Sequence, residues 1–456
     1  MNTAWEHINN VYLLGIGGIG MSGLARYFKR QGCLVAGYDR TPGPITAELE
    51  SEGISIVYSD DAALLVKPFD QAEAREDTLI IYTPAVPSDN RILGFFLEAG
   101  YRLYKRSEVL GMLSKDMYTI AVAGTHGKTT TSALVAHLLK YAGRDCSAFI
   151  GGVMTNYKSN VLFGRDNILV VEADEFDRSF LKLHPDIAVI TSMDADHLDI
   201  YGDKGHVEEA FRLFAAQLQP GGTLVKKAGL PLAQPGTVYA FQPGEGVDAA
   251  AQHIRVEEGN YVFDYVGSTT IENIRMLFPG DHNVENAVAA ITVALRMQIE
   301  PDHIRRALEA FKGIKRRFEH IIRQPGLVFI DDYAHHPREL EACIGSVRRL
   351  YPGKKLTLVF QPHLYSRTRD FADAFAEILG KVDRLILLEI YPAREKPIEG
   401  VNSGMLLGKV RLENKVLTSR ENLLDHLDKN EIEILVTAGA GDIDRLVMPL
   451  KNYLLS

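Results

Sequence analysis

Short apolar runs rich in valine and isoleucine alternate with amphipathic stretches along most of the chain. That alternation predicts strands interleaved with helices, an α/β protein with mainly parallel sheets. The first unit is a strand over Val11 to Leu14, then a glycine turn, then a helix through Met21 to Arg30. Further strands are expected at Thr78 to Tyr82 and near Tyr101 to Tyr104. A second unit opens at Thr119 to Ala123, passes another glycine turn and enters a helix near Thr129 to Tyr141. Strands at Ile168 to Val171 and Ile187 to Thr191 follow, each running into acidic residues. Residues 221 to 280 carry glycine turns and β-branched alternation, which reads as a β-rich insertion. Regular alternation returns with Leu327 to Ile330, Leu356 to Phe360, Leu385 to Leu388 and Ile434 to Thr437. Boundaries near Arg106 and Gly313 then divide the chain into three domains, 1–106, 107–313 and 314–456.

Composition narrows the class. A chain of 456 residues exceeds what one ordinary hydrophobic core supports. With 46% hydrophobic and 24% charged residues it is globular, not disordered. The net charge of −9 argues against a broad nucleic-acid surface while leaving room for small phosphorylated ligands. Cys33, Cys146 and Cys343 are far apart and odd in number, which suits a reducing compartment and no cysteine metal site. No signal peptide or membrane-spanning run is evident, so a cytoplasmic location without membrane insertion is expected.

The first glycine turn, Gly15-Ile16-Gly17-Gly18-Ile19-Gly20, matches the dinucleotide fingerprint G-x-G-x-x-G. Asp39 lies near the end of the next strand, the offset of a ribose-binding acid. Bare amides at a helix N-terminus suit a pyrophosphate. NAD, FAD and a UDP-sugar all carry one, so the turn indicates a nucleotide without choosing it, and an NAD-dependent oxidoreductase stays open at this point.

The second turn, Gly124-Thr125-His126-Gly127-Lys128-Thr129-Thr130-Thr131, is close to a Walker A loop, with Val122 where its first glycine belongs. Backbone amides can wrap phosphates, Lys128 can reach the β- and γ-oxygens, and a threonine hydroxyl can ligate Mg²⁺. Glu172-Ala173-Asp174-Glu175 and Asp194-Ala195-Asp196-His197-Leu198-Asp199 follow strands that should end at the same sheet edge. Glu172 and Thr129 are the oxygen ligands expected for Mg²⁺. His197 is a further candidate, for metal or for phosphate. Asp174 and Asp199 read equally well as helix caps.

These motifs occur in order with H-N-x-x-N (His282 to Asn286), R-R-F-E (Arg316 to Glu319) and D-D-Y-A-H-H-P (Asp331 to Pro337). Together the chain resembles the Mur ligases of bacterial peptidoglycan synthesis along its whole length. The resemblance implies a Rossmann-like N-terminal domain for a UDP-sugar, a central P-loop-type ATPase domain and a Rossmann-like C-terminal domain for an amino acid. It implies ATP and Mg²⁺, with UDP-N-acetylmuramate and L-alanine as the small-molecule substrates. A sibling that adds a murein tripeptide is the nearest rival. Gly15, Gly17, Gly18 and Gly20 would then hold the UDP-sugar, and Gly124, Thr125, His126, Gly127, Lys128, Thr129 and Thr130 the ATP phosphates. Asn283 and Asn286 would lie near the adenine, with Arg317 and Asp332 reaching the nucleotide across the domain cleft. Gln361-Pro362-His363 is followed by Leu364 where many relatives carry arginine, and Arg367 and Arg369 stand nearby to hold an amino-acid carboxylate. Tyr58-Ser59 stands where relatives often carry glycine-histidine. Lys128, Glu172 and His197 are the expected catalytic groups around the phosphates. His335 and His336 are candidates for the amine's base, or for a helix cap beside Pro337.

Overall fold

The computed structural model describes residues 7–194, 201, 203–393 and 395–456. Strands β1 (Asn10–Leu14), β2 (Leu34–Tyr38), β3 (Ser55–Val57), β4 (Thr78–Tyr82) and β5 (Leu103–Lys105) form a parallel sheet in the order 3-2-1-4-5. Every residue of β1 is buried, which is why Val11–Leu14 is a continuous apolar run: a central parallel strand is covered on both faces. The helix Ile19–Arg30 buries Met21, Leu24 and Phe28. Those side chains join Phe149 and Val161 of the next domain in one apolar cluster. Asn160 adds a hydrogen bond from its side-chain amide to the carbonyl of Ile19, 2.7 Å. The first two domains are therefore packed together through this helix.

The middle sheet is built from β6 (Tyr118–Ala123), β7 (Ser147–Met154), β8 (Ser159–Leu162), β9 (Ile168–Ala173), β10 (Ile187–Ile190), β11 (Thr223–Lys227), β12 (Thr237–Ala240), β13 (Ala249–Glu257), β14 (Asn260–Val266) and β15 (Thr270–Met276). Its ten strands run in the order 15-14-13-12-11-10-6-9-7-8. The segment read as a β-rich insertion is no separate unit. β11, β12 and β13 continue the parallel register beyond β10, and β14 and β15 add antiparallel pairings at that edge. Strand pairing gave no sequence signal for this, because the alternation says which residues face inward and not which neighbour a strand joins.

The third sheet comprises β16 (Glu319–Gln324), β17 (Leu327–Asp332), β18 (Leu356–Phe360), β19 (Arg384–Leu388), β20 (Lys415–Thr418) and β21 (Ile434–Ala438), in the order 16-17-21-18-19-20. Only β16 is antiparallel. The chain enters this domain through Gly313, φ +85°, a conformation open to glycine. Backbone hydrogen bonds from Thr155 to Gly313 and from Lys315 to Val153 tie the crossing to the end of β7. No helix among the described residues is long and apolar enough to cross a membrane.

Candidate functional site

β6, β9 and β10 are parallel neighbours in register, so their C-terminal ends open at one edge. The second glycine turn lies there, between β6 and the helix Lys128–Tyr141. Gly127 is the N-cap of that helix at φ +82°, and a Cβ there would come 2.6 Å from Oδ1 of Asn286. Glycine at this position thus meets both a torsional and a steric demand. Ser192 fixes the turn by accepting the His126 amide at 2.7 Å, and Thr191 donates to the His126 carbonyl.

Lys128 reaches inward. Its Nζ lies 2.7 and 2.9 Å from the two oxygens of Glu175 and 2.7 Å from the carbonyl of Gly124. Glu175 is 1% exposed. Burial works against the charge on Lys128, yet Glu175, Asp174 and Glu172 hold its pKa above the ordinary range. Glu172 extends from β9 and accepts from the Thr129 hydroxyl at 3.0 Å and the Gly151 amide at 2.6 Å. Burial pushes the Glu172 carboxyl up, with Lys128 and the Gly151 amide offsetting part of the rise. This half-buried carboxylate, with a hydroxyl beside it, is an all-oxygen donor pair of the kind Mg²⁺ takes while keeping waters. These two residues fit the ion. His197 lies outside the described residues.

A cavity of about 290 Å³ runs from this loop to the third domain. Thr125, His126, Gly127, Lys128, Thr129, Thr130 and Glu172 line one side, and Asn283 and Asn286 enter from the helix Asp281–Arg296. Gly124 is not on the cavity wall; its carbonyl accepts from Lys128. Asn283 donates to the Pro279 carbonyl at 2.6 Å, and Asn286 accepts from Thr131 at 3.3 Å. Arg317, Asp332, Arg338, Glu339 and Cys343 close the cavity from the third domain. Asp332 accepts the amides of Phe318 at 2.8 Å and Ala334 at 2.7 Å. Burial nevertheless pushes its carboxyl up to about 6, with Arg317 opposing the shift. Arg316 and Arg317 both pack on an aromatic ring. Both guanidinium groups lie 5.1 Å from the Tyr333 ring, and Arg316 donates to the Gly439 carbonyl at 2.6 Å. Arg338 bridges to Asp194 at 2.5 Å, joining the two domains directly.

The two histidines divide. His336 is the N-cap of the helix Pro337–Leu350, its Nδ1 accepting from the Arg338 amide at 3.3 Å. His335 faces Tyr333 and His363 instead, its ring centroid 5.6 Å from that of His363. Arg367 and Arg369 are not brought together as a clamp. They are two positions apart on the short helix Tyr365–Asp370, which directs their side chains apart, and Arg369 pairs with Asp370 in solvent. Asp174 caps locally, accepting the Phe176 amide at 3.1 Å.

The first glycine turn borders a separate cavity of about 790 Å³. Gly15, Gly17, Gly18 and Gly20 line it with Asp39, Arg106 and, from the third domain, Arg445. Asp39 points at the turn itself, accepting the Gly17 amide at 2.7 Å. Sequence reasoning passed over Glu175, Ser192, Glu339, Arg106 and Arg445. Glu175 stood inside the quoted acidic run but only its contact with Lys128 distinguishes it. The others are joined to the sites by tertiary contacts between segments 60 or more positions apart in the chain, or by their place on a cavity wall.

Comparison with known proteins identifies the family. Residues 10–118 match "Mur ligase family, catalytic domain", 122–294 match "Mur ligase middle domain", and 316–441 match "Mur ligase, glutamate ligase domain". The chain is 50% identical to the UDP-N-acetylmuramate–L-alanine ligase of Christiangramia forsetii, over 99% of this chain and 98% of that protein. Among solved structures, a UDP-N-acetylmuramate–alanine ligase from Thermotoga maritima matches with a TM-score of 0.82 at 24% identity, covering 98% of each chain. A murein peptide ligase from Psychrobacter arcticus covers 98% of each chain at 21% identity, with a lower TM-score of 0.66.

Proposed function

Because this chain belongs to the Mur ligase family, we propose that it joins L-alanine to the carboxylate of UDP-N-acetylmuramate at the expense of ATP, in the cytoplasm. The observation that carries this reading is the cavity lined from two domains, with Lys128, Thr129 and Glu172 on one wall and Arg317 and Asp332 on the other. The whole-chain likeness to a ligase of that name supports the choice of substrates. An oxidoreductase reading leaves the second glycine turn without a task. We take residues 1–106, 107–313 and 314–456 as the UDP-sugar, ATP and amino-acid domains.

Amide formation from a free carboxylate is unfavourable in water, so the acid is activated first. The muramate carboxylate attacks the γ-phosphorus of ATP, ADP leaves, and an acyl phosphate forms. The amine of L-alanine then forms the C–N bond as the C–O bond to phosphate breaks. Both partners of the first step are anionic. Lys128 and the helix N-terminus at Gly127 offset their repulsion where charge shifts in the transition state. Thr129 and Glu172 would hold Mg²⁺, which when bound screens the phosphate oxygens. Asn283 and Asn286 border the adenine, and Arg317 and Asp332 contact the nucleotide from the third domain. Gly15, Gly17, Gly18 and Gly20 hold the UDP-sugar, with Arg106 and Arg445 supplying cations toward its diphosphate. His335, not the capping His336, receives the amine's proton.

The test is phosphate release from ATP with Mg²⁺ and UDP-N-acetylmuramate, with and without L-alanine. Release that depends on both acid and amine, with the amide as product, is expected. Release with a murein tripeptide and not with alanine would transfer the assignment to the recycling activity.

A further inference from the structure

More converges on the Glu339 carboxylate than a helix cap requires. At the third position of the helix Pro337–Leu350, its Oε2 accepts the amides of His335 at 3.0 Å and His336 at 3.2 Å. The same oxygen stands 3.1 Å from Nδ1 of His335. Its other oxygen stands 3.7 Å from Nδ1 of His126, in the phosphate loop of the neighbouring domain. Burial opposes charge on Glu339, yet His335, His126 and Arg317 hold its carboxyl well below the ordinary range.

The His335 ring has a second constraint. Its Nδ1 lies 2.9 Å from the Tyr333 carbonyl. A carbonyl and an ionised carboxylate can only accept, so Nδ1 carries the hydrogen and the neutral ring keeps its lone pair on Nε2. A carboxylate behind an imidazole fixes tautomer and orientation and stabilises the imidazolium that forms on proton uptake. The other charged or titratable groups around this ring are Tyr333 with Arg316 and Arg317 over its face, His363, and Tyr391 stacked on His363. Glu395 acts on His363 from beyond. Among the described residues, Glu339 is the carboxylate in contact with His335.

We infer that Glu339 is a positioning residue that holds His335 in its Nε2-basic tautomer and supports the charge the ring gains. The inference rests on the reading of His335 as proton acceptor. As the amine nitrogen bonds the acyl carbon and phosphate departs, the surplus N–H proton passes to Nε2, and Glu339 faces the resulting cation.

Glu339→Gln is the informative variant, because glutamine also serves a capping box at this position and removes only the charge. The expected result is a protein that still folds, with a lower melting temperature for loss of the charge, and a kcat lower by about 10- to 100-fold. The limb of the kcat profile on which activity rises with pH should move to lower pH, since losing the carboxylate favours the neutral ring. In a His335→Ala background the same change should have no further effect on kcat. A Glu339→Gln enzyme with wild-type kcat and profile, beside an impaired His335→Ala enzyme, overturns the role of Glu339 alone. An equal further loss in the His335→Ala background overturns it too, since Glu339 would then act elsewhere. Wild-type turnover by His335→Ala overturns the reading of His335 itself. Nitrogen-15 NMR of the wild-type protein gives an answer that needs no folded variant: His335 found with its hydrogen on Nε2 would also overturn the inference.

Discussion

Replacing Lys128 by methionine removes the cation from a largely buried pair at the cavity wall. Nζ sits 2.7 and 2.9 Å from the Glu175 oxygens, and the two side chains are 14% and 1% exposed. Methionine fills much of the space but leaves the Glu175 carboxylate buried without its cation. Breaking one side of such a pair costs about 3–5 kcal/mol. For a domain of this size that is a fall in melting temperature of roughly 6–20 °C. Turnover should fall on the order of 10²–10³, the effect of losing one preorganised charge from a transition state. The two losses have different origins, and a second substitution separates them. Lys128→Met/Glu175→Gln removes the stranded charge, so most of the melting temperature should return while turnover stays low. Thermal scanning and phosphate release measure the two quantities on the same preparations. Near-normal turnover by the single variant would refute the role of Lys128. A double variant as unstable as the single would refute the claim that the lost stability comes from the Glu175 charge that Lys128 faced.

Asp332 makes stability depend on pH in an unusual direction. Its carboxyl titrates at about 6 in the folded protein and near 3.8 ordinarily, so between these values the folded state binds more protons. Stability should therefore fall as pH rises through that window, by about 3 kcal/mol in all, and Asp332→Asn should remove that slope in denaturant titrations. The same titration removes an acceptor below pH 6, so nucleotide affinity measured by calorimetry should weaken there in wild type and not in the variant. Gly127→Ala combines φ +82° with an overlap on Asn286, whereas Gly143→Ala meets φ +84° in open space. Both should lose about 1–2 kcal/mol of stability from the left-handed backbone. Only Gly127→Ala should also raise the KM for ATP, by at least about 10-fold, and equal KM values would refute the steric part.

The chain order of apolar runs was enough to read an α/β fold, and each strand expected with stated bounds is found within a few residues of them, while strands such as β7, β8 and β20 were not expected individually. β18 is found as expected, at Leu356–Phe360, because a buried parallel strand needs an unbroken apolar stretch and such stretches are visible without neighbours. The phosphate loop was legible for a similar reason. Glycines at fixed offsets from a strand and a helix, followed by Lys128 and Thr129, are a local solution to cradling phosphate. The joining of β11 to β10 was not legible, since an apolar alternation does not name the strand it will pair with. Nor was the partner of Lys128, which lies 47 positions away, or the meeting of Glu339 with His126 across two domains. His335 and His336, adjacent and chemically identical in sequence, were separable only after the chain folded. One ring became the cap of the helix that follows and the other turned toward Tyr333 and His363. Local patterns determine what a segment can become, because torsional preference and burial act within a few residues. Which charges meet, and which side chain is left to do chemistry, is decided by packing between segments that the chain order keeps far apart.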